Sequence, residues 1–102
     1  MLKVDTQGHE PGVVMSGPKL FSEDPPDIVH AEFSPQLMKS AGFSGKVWLN
    51  WLYDYGYTCY DCAAFRPPPF EVSDINEYEL KFGEFLFKGA NHGQWADMVC
   101  TQ

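Results

Sequence analysis

The sequence predicts an α+β fold: a curved, mainly antiparallel sheet of about five strands, a half-open barrel or roll, with one short helix. Three observations lead there. Apolar and polar residues alternate over 27–33 and over 77–82, which is the period of a half-buried strand. Between those stretches, "SPQLMKSAG" carries the start and stop signals of a helix. Glycine and proline punctuate all 102 residues, so no element can run long.

Val13-Val14-Met15 lies between Gly12 and Gly17-Pro18, which suits a short strand with a turn behind it. "FSEDPPD", residues 21–27, reads as an acidic loop stiffened where Pro25 and Pro26 fix two φ angles. From Asp27 to Phe33 the odd-numbered face, with Val29, Ala31 and Phe33, is the apolar one. Ser34 then caps the helix, and Pro35 sits where a missing N–H costs nothing. Gly42 closes it in the left-handed conformation. Leu37, Met38 and Ala41 share the buried face, at spacings of three and four.

"KVWLNWLYDYGY", residues 46–57, admits two readings. As a strand it puts Val47, Leu49, Trp51, Tyr53, Tyr55 and Tyr57 on one side. As a helix it gathers Trp48, Trp51, Leu52, Tyr55, Cys59 and Cys62 into one stripe. Gly56 and the β-favouring aromatics count against a long helix, so the strand is the reading adopted. Farther on, Tyr78, Leu80 and Phe82 alternate with Glu77, Glu79 and Lys81, and beyond Gly83 the phase shifts to Phe85 and Phe87. A β-bulge at Gly83 absorbs the extra residue, or a tight turn there makes two shorter strands. "ANHGQ" is a turn, and Trp95 to Cys100 is a last strand or helical turn.

Fourteen acidic residues against seven basic ones leave a net charge of −7. Arg66 is the one arginine and the lysines are scattered singly, so the clustered cations that displace counterions from phosphate are missing. Nucleic acid and anionic membrane surfaces are not expected partners, and no stretch approaches the ~20 apolar residues of a membrane span. The chain reads as one domain, residues 1–102. Three cysteines without a signal sequence point to a reducing compartment, by default the cytoplasm.

"YTCYDCAAFRPPPF", residues 57–70, is the most chemical-looking stretch. Cys59 and Cys62 have the spacing of a zinc clip, with His92 and Cys100 as the second ligand pair. A thioredoxin-like redox role needs a parallel α/β context that the sequence lacks. Reduced, mostly buried thiols are therefore the expected state. "RPPPF" is a rigid connector more readily than a polyproline ligand. Asp54 and Asp61 read as surface aspartates rather than an acid–base pair, and His9, His30 and His92 are far apart in sequence. No nucleophile signature or phosphate-cradling loop appears, so neither an enzyme nor a cofactor is indicated.

The aromatics carry the functional expectation. Trp48, Trp51, Tyr53, Tyr55 and Tyr57 are more polar-edged rings than a small core needs at full burial, and such rings favour an apolar wall that meets water. That suits a pocket for a small apolar ligand or a self-associating face, and a homodimer is expected because one short helix cannot cover a sheet. The net charge suggests a different class, an inhibitor or antidote that covers a basic protein.

Overall fold

The computed structural model describes residues 1–6, 8–62, 69–81, 84–87 and 96–102. In chain order the elements are β1 (Leu2–Val4), α1 (Glu10–Met15), α2 (Pro18–Glu23), β2 (Ile28–Phe33), α3 (Pro35–Ser40) and α4 (Gly45–Asp54). They continue with β3 (Thr58–Asp61), a 3₁₀ turn (Val72–Asp74), β4 (Ile75–Lys81), β5 (Glu84–Phe87) and β6 (Ala96–Thr101). The fold mixes α and β, with four α-helices among the described residues where one was expected. Four strands form one open sheet in the order β1-β2-β6-β3, and β4 and β5 pair separately. β1 runs parallel to β2, while β6 is antiparallel to both β2 and β3.

Register explains which face of the sheet is buried. Val4 pairs with Ala31, Ala31 with Met98, Val29 with Cys100, and Cys100 with Cys59. Directly paired residues point to the same side, and all of these are buried. The alternation expected over 27–33 is therefore the one seen. The core is completed by Val14, Phe21, Met38, Trp48, Leu49, Leu52, Phe70 and Ile75. On the opposite face Lys3, His30, Glu32, Asp97 and Tyr60 stay exposed or half-buried.

Two helices end by the same device. Gly42, at φ +88°, follows α3, and its N–H donates to Lys39 O while Phe43 N–H donates to Met38 O. Gly56, at φ +89°, follows α4, with Gly56 N–H on Tyr53 O and Tyr57 N–H on Leu52 O. Each is a paired closure that satisfies terminal carbonyls and needs a left-handed residue. Their starts also match, since the Ser34 and Ser44 hydroxyls accept from Leu37 N–H and Val47 N–H.

Several expectations need correcting. Residues 45–54 are helical, so the aromatics do not line one strand; Gly56, counted against a helix, is the residue that ends it. Val13-Val14-Met15 belongs to α1, and Gly12 sits inside that helix because the Phe43 ring lies against it. Residues 21–23 of the expected acidic loop form the end of α2. In α3 Met38 is buried but Leu37 is exposed. Lys81 pairs with Glu84, so the chain reverses between them; this supports two shorter strands, although residues 82 and 83, with the proposed Gly83 bulge, lie outside the described residues. So do the "ANHGQ" turn and Arg66 to Pro68. Among the described residues no helix is long and apolar enough to cross a membrane.

Candidate functional site

The aromatic residues singled out from the sequence divide into three groups. Trp51 and Tyr55, one helical turn apart on α4, lie 4.7 Å from each other and are met by Phe21 of α2. The Phe21 ring is edge-on to Trp51 at 4.9 Å and to Tyr55 and Tyr57 at 5.9 Å each, which is favourable quadrupole geometry. Tyr57 is buried, and its hydroxyl donates to Pro26 O. Tyr53 turns elsewhere, its hydroxyl donating to Phe70 O. Burial raises the Tyr53 and Tyr57 phenols above the ordinary 10.0, and Asp27 adds to the rise at Tyr57. Tyr53 and Tyr57 are thus tied to their own chain, and Trp51 and Tyr55 stay half-buried against Phe21.

Trp48 is different. It is fully buried, and its ring stacks on Phe33 at 6.0 Å with 17° between planes. Among the described residues its indole Nε1 has no hydrogen-bond partner. Trp48 also borders an apolar cleft of about 380 Å³, walled by Pro11, Gly12 and Met15 of α1 and by Phe43, Val47 and Trp48 on the α4 side. Val47 is 58% exposed at the rim. The cleft exists because α1 approaches through Gly12, where a Cβ would lie 2.7 Å from Phe43 Cζ.

The cysteines correct a second set of expectations. Cys59 and Cys100 are joined by a disulfide between directly paired residues of β3 and β6, so they are not reduced thiols. The zinc set Cys59, Cys62, His92 and Cys100 loses two of its four ligands to that bond. Cys59 and Cys62 cannot grip one ion either, since residues three apart in and just beyond a strand point to opposite faces: Cys59 is buried and Cys62 exposed. His92 lies outside the described residues. The cytoplasmic expectation rested partly on unpaired cysteines, and that ground is gone. Asp54 is exposed as expected, whereas Asp61 is buried on the inner face of β3.

A group that the sequence reading missed lies near the end of β1. Carboxylate oxygens of Asp5, Glu10 and Glu32 are within 4.8 Å of one another. Glu10 is fully buried, and its two oxygens accept from Thr6 N–H at 3.1 Å and Gly8 N–H at 2.8 Å. Glu32 borders a polar hollow of about 150 Å³ with Lys3, Asp5, His30 and Asp97. Burial first, then the charges of Glu10, Asp5 and Asp97, push the Glu32 carboxyl above its ordinary 4.5. Carboxylates are ligands for hard divalent cations, but Glu10 is already engaged in closing the loop ahead of α1. Spacing gave no sign of the group, because 5, 10 and 32 converge only through the parallel pairing of β1 with β2.

Comparison with known protein families, with curated proteins and with solved structures finds no match to this chain.

Proposed function

We propose that the protein is a small non-catalytic binding domain that holds a small apolar ligand in the cleft between α1 and α4. One observation carries this reading: the cleft of about 380 Å³ is walled almost wholly by apolar side chains and is not filled by the chain. That volume lies in the range of small-molecule sites, ~300–1,000 Å³. The other aromatic residues support it by contrast, because Phe21 packs against Trp51, Tyr55 and Tyr57 and Tyr53 is tied to Phe70. Acyl-transfer chemistry finds no comparable support, since among the described residues that line the cleft no base accompanies the Ser44 hydroxyl.

The test is titration with an apolar fluorescent probe, 8-anilinonaphthalene-1-sulfonate, against the wild type and Val47→Asp. Val47 is a rim residue on the exposed side of α4, so the charge should abolish probe binding while the fold remains. Equal binding by both proteins would remove the cleft from consideration. Absence of binding together with a two-chain mass by light scattering would assign the face to self-association instead. A basic protein partner is supported by the net charge and by the exposed acidic residues Glu23, Asp24, Asp27 and Glu71.

A further inference from the structure

We propose that Glu10 is the positioning residue of the cleft between α1 and α4: its buried carboxylate sets the spacing of the two walls without lining the cleft itself. The proposal rests on the cleft being a ligand site and adds a residue that governs its affinity. Glu10 is fully buried. One of its oxygens accepts from Thr6 N–H at 3.1 Å and the other from Gly8 N–H at 2.8 Å. Carboxylate oxygens of Asp5 and Glu32 also come within 4.8 Å. Burying a carboxylate beside two further carboxyl groups is costly, and its two charge-assisted hydrogen bonds offset only part of that cost. An apolar residue would avoid the cost altogether. What the carboxylate supplies instead is a fixed place for the chain on either side of it.

Both walls of the cleft connect to this clamp. Glu10 opens α1, and Pro11, Gly12 and Met15, the wall that α1 supplies, follow it directly. His9, the residue before it, meets the Phe43 ring edge-on at 6.0 Å. Gly8 lies against the backbone of α3, where a Cβ would stand 2.6 Å from Leu37 O. From α3 the chain passes through Gly42 into Phe43 and Ser44, which belong to the facing wall. Glu10 therefore fastens the segment that rests on α3 to the first turn of α1. Both oxygens are needed, because Thr6 and Gly8 each present a separate donor. Glutamine offers one acceptor oxygen and would turn its NH₂ towards the second N–H. The apolar side chains of the walls make non-directional contacts, so the spacing between them is set by this directional pair.

The experiment titrates 8-anilinonaphthalene-1-sulfonate into the wild type, Glu10→Gln and Glu32→Gln. Both substitutions remove a carboxylate from the same group, but only the first takes an acceptor from the Thr6 and Gly8 N–H groups. Glu10→Gln should bind the probe about tenfold more weakly, the scale on which one lost hydrogen bond shifts an equilibrium. Its melting temperature should fall by no more than about 5 °C, because relief from the Asp5 and Glu32 carboxyls offsets part of the lost bond. Glu32→Gln should bind like the wild type. A second measurement needs no variant, since coupling between clamp and cleft is reciprocal. Saturating probe should slow hydrogen exchange of the Thr6 and Gly8 amides more than that of Phe70, whose N–H donates to Cys59 O. Wild-type affinity in Glu10→Gln, or equal slowing at all three amides, would overturn the proposal and leave the cleft reading standing. Should Glu10→Gln fail to fold, the exchange comparison alone decides. Failure of the wild type to bind the probe, or binding undiminished by Val47→Asp, would overturn the cleft reading and the proposal with it.

Discussion

The two ends of α4 carry similar aromatic side chains and meet opposite surroundings. At the C-terminal end Trp51 and Tyr55 lie under Phe21, and neighbouring Tyr57 is fastened to Pro26. At the N-terminal end Val47 is exposed, and the buried Trp48, whose N–H has no partner among the described residues, borders an open cleft. The same residue chemistry therefore gives half-buried rings under a phenylalanine at one end and, at the other, a fully buried ring bordering a cleft. What separates them is the helix that packs alongside: α2 brings a phenylalanine to the C-terminal end, whereas α1 brings a glycine to the N-terminal one. A surplus of tryptophan and tyrosine does not by itself mark a site.

The largest effect should come from stripping the covered end. Phe21 is 3% exposed and touches three rings, so Phe21→Ala should cost about 4 kcal/mol in urea unfolding, the usual scale for a buried phenylalanine. It should also open a second apolar probe site beside Trp51. A loss below about 1 kcal/mol would mean that this end is no more closed than the cleft, and the contrast along α4 would collapse.

That contrast was partly legible in the sequence. Ser34 and Gly42 were read correctly as the limits of a helix, and Ser44 and Gly56 have the same roles for α4. The second pair was overlooked because β-branched and aromatic residues between them favour strands, a preference that tertiary burial of Trp48, Leu49 and Leu52 overrides. The alternation of β2 was legible because its two faces meet different solvents. The cleft was not, because it depends on a close approach between residues 12 and 43, and sequence spacing carries no record of that. The disulfide escaped for a similar reason: Cys59 and Cys100 meet only once β3 and β6 are paired in register.

The next effect tests whether the covered end depends on that crosslink. β3 is an edge strand paired with β6, and the disulfide spans a sequence separation of 41. Closing a loop of that size in the unfolded chain stabilises the fold by about 4 kcal/mol, so Cys59→Ala/Cys100→Ala should lose up to about that much. Apolar probe binding at the cleft should survive under native conditions, since α1 and the start of α4 are remote from the bond in the chain. Loss of binding in a still-folded double variant would show that the two regions are coupled.

A smaller effect comes from pH, and it falls on neither end of α4. The Glu32 carboxyl is raised by burial and by Glu10, Asp5 and Asp97, with Lys3 and His30 lining the same hollow. A raised folded-state value means that the protonated form is favoured by folding. Its contribution is complete below the unfolded value near 4.5 and is lost as pH rises through the higher folded value. The Glu32 contribution should therefore make the wild type gain stability, relative to Glu32→Gln, as pH falls from 8 towards 5, read by thermal melting of both proteins. Parallel melting curves across that range would mean that Glu32 is not held in this environment, and probe binding at the cleft should be indifferent to the change.

The smallest effect on stability, and the sharpest on the cleft, is expected from Gly12→Ala. Gly12 lies in α1, where alanine is the better helix former by about 0.5–1 kcal/mol. Against that gain, the new Cβ would stand 2.7 Å from Phe43 Cζ and 3.3 Å from Cε1. Those atoms lie toward the outer end of a half-buried ring that can swing, so the clash is relieved by moving Phe43 rather than backbone. The net change in stability should stay within about 1 kcal/mol by urea unfolding. The ring that moves is a wall of the cleft and also meets His9 edge-on at 6.0 Å, so the cavity must change shape. Affinity for 8-anilinonaphthalene-1-sulfonate should fall about tenfold, the cost of about 1.4 kcal/mol in lost contact, while the fluorescence of Trp51 under Phe21 stays unchanged. A stable variant with wild-type affinity would place the probe elsewhere. A variant destabilised by more than about 2 kcal/mol would show the Phe43 wall to be rigid, and the N-terminal end of α4 to be as firmly packed as the C-terminal one.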